Sequence, residues 1–148
     1  MRNLVLFVVF LTGSMATHRE ITKEQFADYR IKCSEANGIT REELLEILKH
    51  PFPTEEYPPC YVKCILESAD FLNDDKLVTD NIIHQMKLGE KNLNVEQMEN
   101  VIGQCNDEFK NEADKCVQGF NLADCFFGRE QRFGIFVASL TKKALQSD

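Results

Sequence analysis

The sequence predicts an all-α fold, a compact bundle of six to seven helices, and three observations carry that expectation. Apolar residues recur at spacings of three and four, whereas strict alternation over six or more residues is hard to find. Residues that start and stop helices stand at helix-length intervals along the chain. Six cysteines follow an export-type amino terminus, which suits a disulfide-stapled domain.

Met1-Arg2-Asn3, the apolar stretch Leu4 to Leu11 and Ser14-Met15-Ala16 fit the three regions of a secretory signal peptide. Cleavage is expected after Ala16, leaving residues 17–148 as one secreted domain. The apolar stretch is about half of the roughly 20 residues that span a bilayer, so no membrane insertion is expected. Thr22-Lys23-Glu24-Gln25 and Thr40-Arg41-Glu42-Glu43 match the capping box and should open helices 1 and 2. Asn37-Gly38 ends the first, and the second must stop near His50 because Pro51 follows. Pro58 and Pro59 suit the first turn of helix 3, expected to run to about Leu72.

Asn73-Asp74-Asp75 reads as a turn, Thr79 as the cap of helix 4 and Gly89 as its end. Asn94 caps helix 5, which carries Val95, Met98, Ile102 and Cys105 on one face, and helix 6 follows from about Asp114. A seventh, amphipathic helix is expected near the carboxyl end, with Phe133, Phe136, Val137, Leu140 and Ala144 on one face and Lys142 and Lys143 off it. It would dock over the open side of the interior as a lid.

The chain carries a net charge of −7, and loss of the leader removes Arg2 and no acid, so the mature domain is more acidic still. Without a Lys/Arg-rich run, such a surface repels phosphate backbones and anionic headgroups, and no nucleic-acid partner is expected. No Asn-x-Ser/Thr triplet offers an N-linked glycan. Catalytic motifs are missing around His18, His50 and His84: there is no Gly-x-Ser-x-Gly and no His-Glu-x-x-His, and no enzyme activity is expected. Zinc binding through Cys-x₃-Cys is the alternative use of the thiols, and the export signal argues against it; no metal or cofactor is expected.

The cysteines stand at 33, 60, 64, 105, 116 and 125, with 26, 3, 40, 10 and 8 residues between successive members. Three disulfides from six cysteines leave 15 pairings open. Cys60 and Cys64 lie one helical turn apart, project from one face and cannot bond each other within a helix, so each must reach a different partner. Each link contributes very roughly 2–4 kcal/mol. A shell stapled in this way tolerates an unfilled interior, which otherwise costs about 24 cal/mol per Å³.

These spacings resemble those of the insect odorant-binding proteins, as do Cys60-Tyr61-Val62-Lys63-Cys64 and Asp80-Asn81-Ile82-Ile83-His84-Gln85 with that family's dipteran members. The resemblance covers the whole mature chain. It implies the pairing Cys33 with Cys64, Cys60 with Cys116 and Cys105 with Cys125, an apolar cavity, and carriage of an odorant, pheromone or fatty acid through an aqueous secretion. It also implies a monomer or weak homodimer, with a membrane receptor as a second partner. Several family members place a hydroxyl two residues beyond the third cysteine, where this chain has Leu66.

The expected ligand contacts are Phe26, Tyr29 and Arg30 on helix 1, Tyr61 and Ile65 on helix 3, and Ile83, His84 and Met86 on helix 4. Met98 and Ile102 on helix 5, Phe120 and Phe127 on helix 6, and Phe133, Phe136, Val137 and Leu140 in the tail complete the set. Any one of the apolar members would serve an ordinary core equally well. What points to a pocket wall is the total of eleven Phe and four Met, adaptable groups, with Phe126 and Phe127 adjacent. One polar anchor among Tyr29, Arg30, Tyr61 and His84 in such a wall suits a long chain such as a fatty acid. The competing expectation is a secreted protein-interaction or toxin-like module with a solid core.

Overall fold

Two threonine hydroxyls start the first two helices. Thr22 caps α1 (Lys23–Ala36) and Thr40 caps α2 (Arg41–Ile47), each in a complete capping box with Gln25 and Glu43 respectively. The computed structural model describes residues 20–50 and 52–129. The expected leader, His18, Pro51 and the tail segment with Phe133, Phe136, Val137, Leu140 and Ala144 lie outside the described residues.

Helix α1 ends as its sequence demands. Gly38 takes φ +66°, its N–H donates to Glu35 O, and Ile39 N–H donates to Ser34 O at 2.9 Å, a left-handed cap that closes the last turn. Helix α2 gives way to a tighter turn at Leu48, with Lys49 and His50 donating to the carbonyls of Glu46 and Ile47, so the chain leaves the helix slightly before His50. Helix α3 (Pro59–Ser68) begins on Pro58 and Pro59, as expected.

Its end corrects the sequence reading. Helix 3 stops at Ser68 rather than near Leu72, because Asp70 turns left-handed (φ 57°) and Phe71 N–H donates back to Leu66 O at 2.8 Å. Leu66 and Phe71, the apolar pair that accompanies such a cap, are both buried. The freed residues form a two-stranded hairpin, β1 (Leu72–Asn73) antiparallel to β2 (Lys76–Leu77). Asp74 and Asp75 make its turn with φ 48° and 60°, the positive values that match the twist of a tight hairpin. Asn106 pins the hairpin to the fifth helix by accepting from Leu77 N–H at 2.8 Å and donating to Leu77 O at 3.2 Å.

A second correction concerns Thr79. Val78 N–H bonds Phe71 O and prolongs the extended hairpin, so Val78 becomes the cap, without a side-chain hydrogen bond, and Thr79 is the first residue of α4 (Thr79–Gly89). Asn94 caps α5 (Val95–Phe109) by accepting from Gln97 N–H. Asp114 does the same for α6 (Lys115–Arg129), accepting from the N–H groups of Cys116 and Val117.

Helix α3 packs on α1 and on α6, α6 packs on α5, and α5 on α4. Ile21 N–H donates to the buried Gln85 Oε1 at 3.2 Å, which ties the lead into α1 to α4 and so joins the two ends of this series. Apolar faces of all these helices meet in one core. Gly119 is where α6 comes nearest α3: a Cβ there would lie 2.9 Å from Lys63 Cβ and 3.3 Å from its Cα. Three disulfides fix the series, joining Cys33 to Cys64, Cys60 to Cys116 and Cys105 to Cys125. Cys60 and Cys64 thus tie α3 to two different helices, α6 and α1.

Candidate ligand-binding site

Helices α1 and α3, held together by Cys33–Cys64, bring the most informative side chains of the molecule to one place. Arg30 of α1 is only 5% exposed, and its guanidinium lies over the Phe26 ring, 4.9 Å from the centroid. Tyr61 of α3 is fully buried, and its hydroxyl has no hydrogen-bond partner among the described residues. Burial pushes the Tyr61 phenol up to about 12, against the nearby positive charge of Arg30, which pulls it down. The Tyr57 phenol is raised for the same reason with the same opposition, and burial lowers the Arg30 guanidinium. A cation and a neutral hydroxyl are therefore held inside an aromatic wall.

The wall comes from the segment between α2 and α3 and from the end of α6. Tyr57 stacks on Tyr61 with ring centroids 6.2 Å apart, and its own hydroxyl donates to His50 O at 3.0 Å. Phe52 meets both Tyr57 and Phe127 edge-on at 5.2 Å, and Phe127 meets Phe126. Tyr57 and Phe52 were not among the residues expected from sequence, because they sit in the proline-flanked stretch that reads as a connection between helices.

Of the expected contacts, Phe26, Arg30, Tyr61, Ile65, Ile83, Met86, Met98, Ile102 and Phe127 are buried in the common core. Tyr29 and Phe120 are half-buried and packed against it, and His84 is half-buried on α4. Phe133, Phe136, Val137 and Leu140 lie outside the described residues. Leu66, two residues beyond the third cysteine, is buried.

Two open grooves have another character. One follows α5 past Glu96, Glu99, Asn100 and Asp107, and the other lies beside the hairpin at Glu67, Asp70 and Asn81; their described walls are mainly polar and do not suit an apolar molecule. Among the described residues no group of three or more His, Cys, Asp or Glu is placed to hold a metal ion, and no helix is long and apolar enough to cross a membrane.

A model of the PBP/GOBP family matches residues 15–129, most of the chain and all of its described helices. The chain belongs to the PBP/GOBP family. As a PBP/GOBP member it is similar to odorant-binding protein 22 of Aedes aegypti, 24% identical over 122 residues that cover 82% of this chain and 84% of the relative. It is also similar to general odorant-binding protein 99b of Drosophila melanogaster, at 23% identity with 85% of this chain and 91% of the relative covered. General odorant-binding protein 19d of the same fly is 21% identical, with 89% of this chain and 91% of the relative covered. No solved structure matches the chain significantly.

Proposed function

We propose that this PBP/GOBP-family protein is a secreted carrier that takes a small hydrophobic molecule (an odorant, a pheromone or a fatty acid) into the apolar space shared by α1, α3, α4, α5 and α6. The observation that supports the reading is the fully buried Tyr61 hydroxyl, which has no partner among the described residues. A solid core selected only for stability would replace such a group, since an unmade buried hydrogen bond costs about 1–3 kcal/mol. A ligand atom supplies what the protein lacks. The relatives' names, which describe odorant-binding proteins, support the same reading. Three disulfides suit an oxidising extracellular fluid and support secretion, and the ligand contacts are the buried members of the expected set together with Tyr57 and Phe52.

The test is fluorescence binding with delipidated full-length secreted protein. An environment-sensitive apolar dye should bind at micromolar concentration and be displaced by members of a panel of odorants, alcohols and fatty acids. Absence of binding by the dye and by every member of the panel would sink the carrier reading in favour of an interaction module with a filled core.

A further inference from the structure

The Tyr61 hydroxyl stands apart from the polar groups of the other buried neutral side chains. Ser34 donates to Ile31 O at 2.7 Å, Gln85 Oε1 accepts from Ile21 N–H at 3.2 Å, and Gln118 Nε2 donates to Phe109 O at 2.9 Å. The hydroxyl of Tyr57, whose ring stacks on that of Tyr61, donates to His50 O. Each of these buried side chains is bonded to the main chain. Tyr61 is buried more completely than any of them, and its hydroxyl has no partner among the described residues. A core that satisfies its polar groups elsewhere makes this one exception a marked place and not a sign of loose construction. The missing partner has a defined chemistry: burial holds the phenol up to about 12, so at neutral pH it carries its proton, and that proton needs an acceptor.

On the carrier reading above, we infer that Tyr61 is a specificity-determining residue of the site, and that its hydroxyl selects ligands with a carbonyl oxygen on an apolar body: ketones, aldehydes and esters. A hydrocarbon leaves the hydroxyl as it finds it. An alkylammonium group brings donors and no acceptor. An alcohol accepts, but it carries a proton of its own into desolvated surroundings, where that proton needs a further acceptor. A carbonyl oxygen accepts through either of two lone pairs and brings no donor.

Methyl nonyl ketone and the alkene in which a methylene group replaces its carbonyl oxygen share size and shape, so the two together isolate the oxygen. Competition of each against an apolar dye, with wild-type protein and with Tyr61→Phe, forms a double-mutant cycle. The ketone is expected to lose about three- to tenfold in affinity on Tyr61→Phe, the size of one hydrogen bond to a buried group, and the alkene less than about twofold. The secondary alcohol of the same skeleton should bind wild-type protein no more tightly than the ketone. A second readout, which a merely structural role for Tyr61 would not move, is the infrared carbonyl stretch of the bound ketone. In wild-type protein it should lie below its frequency in alkane solvent, and in Tyr61→Phe it should return toward that value. The wild-type band alone decides the matter if the variant fails to fold. Equal losses for ketone and alkene, an unshifted carbonyl band, or tighter binding of the alcohol would overturn carbonyl selection and leave the carrier reading intact. Failure of the dye and all three ligands to bind would bring down both.

Discussion

Helix α3 serves two regions that are built on different terms. Toward α6 it presents Cys60 and Lys63, and there the fit is closed: Cys60 is bonded to Cys116, and Gly119 leaves no room for even a methyl group beside Lys63. Toward the aromatic wall it presents Tyr61, whose hydroxyl is buried beside the charge of Arg30 and has no partner among the described residues. The first region gives up nothing that stability would want. The second keeps a polar group and a charge where hydrocarbon would pack more cheaply. A seam that is over-determined by a covalent link and close packing can hold a neighbouring site that is energetically incomplete, and the incompleteness is what a ligand can use.

The sharpest way to break the seam is to remove its covalent link. Cys60–Cys116 closes a separation of 56 residues, against 20 for Cys105–Cys125. On the chain-entropy account, paired Cys→Ala replacement should cost about 4 kcal/mol for the first and about 3 kcal/mol for the second. Urea denaturation of the two double variants checks the order. A smaller loss for the Cys60–Cys116 variant would show that the seam is held by packing rather than by its bond.

Packing is tested next. Gly119→Val places two further methyl groups against Lys63 Cβ and Cα, atoms that cannot move without shifting α3 itself. The expected loss is about 1–3 kcal/mol of stability. Since Gly119 faces Lys63 and not the aromatic wall, affinity for an apolar dye should stay within about twofold of wild type once the protein is folded. A large affinity loss in a folded variant would mean that the two faces of α3 are not separable.

The same division marks what could be read in the sequence. The seam's ingredients are local chemistry: capping boxes at Thr22 and Thr40, the left-handed Gly38, Pro59 at a helix start and cysteines one turn apart. Each acts through its immediate neighbours, so spacing alone exposes it, while the family resemblance supplied the pairing. The hairpin escaped because strands of two residues have no period to detect, and the left-handed Asp70 that ends α3 looks like any surface aspartate. The site was legible only in outline. Arg30 and Tyr61 stand out as polar groups in an apolar pattern, but their burial, and the recruitment of Phe52 and Tyr57 from a connecting segment, arise from contacts far apart along the chain.

The smallest effect separates the regions by its sign. Tyr61→Phe removes a buried hydroxyl that has no partner among the described residues, so in ligand-free protein at neutral pH it should raise stability by about 1 kcal/mol, opposite to both seam variants. Alkaline pH supplies a second readout. The folded-state phenol is held up to about 12, whereas an unfolded tyrosine ionises near 10. Above pH 10 the unfolded chain therefore releases a proton that the folded chain keeps, and wild-type stability falls as pH rises toward 12, by up to about 1.4 kcal/mol per pH unit from this one group. Below pH 10 the contribution is complete and level. Tyr57 shares the upward direction and remains in the variant, so Tyr61→Phe should make the decline shallower without abolishing it. Urea midpoints measured at intervals from pH 8 to pH 11 provide the test. A variant less stable than wild type at neutral pH, with an unchanged alkaline slope, would show that the hydroxyl is satisfied in solution and that the site is as complete as the seam.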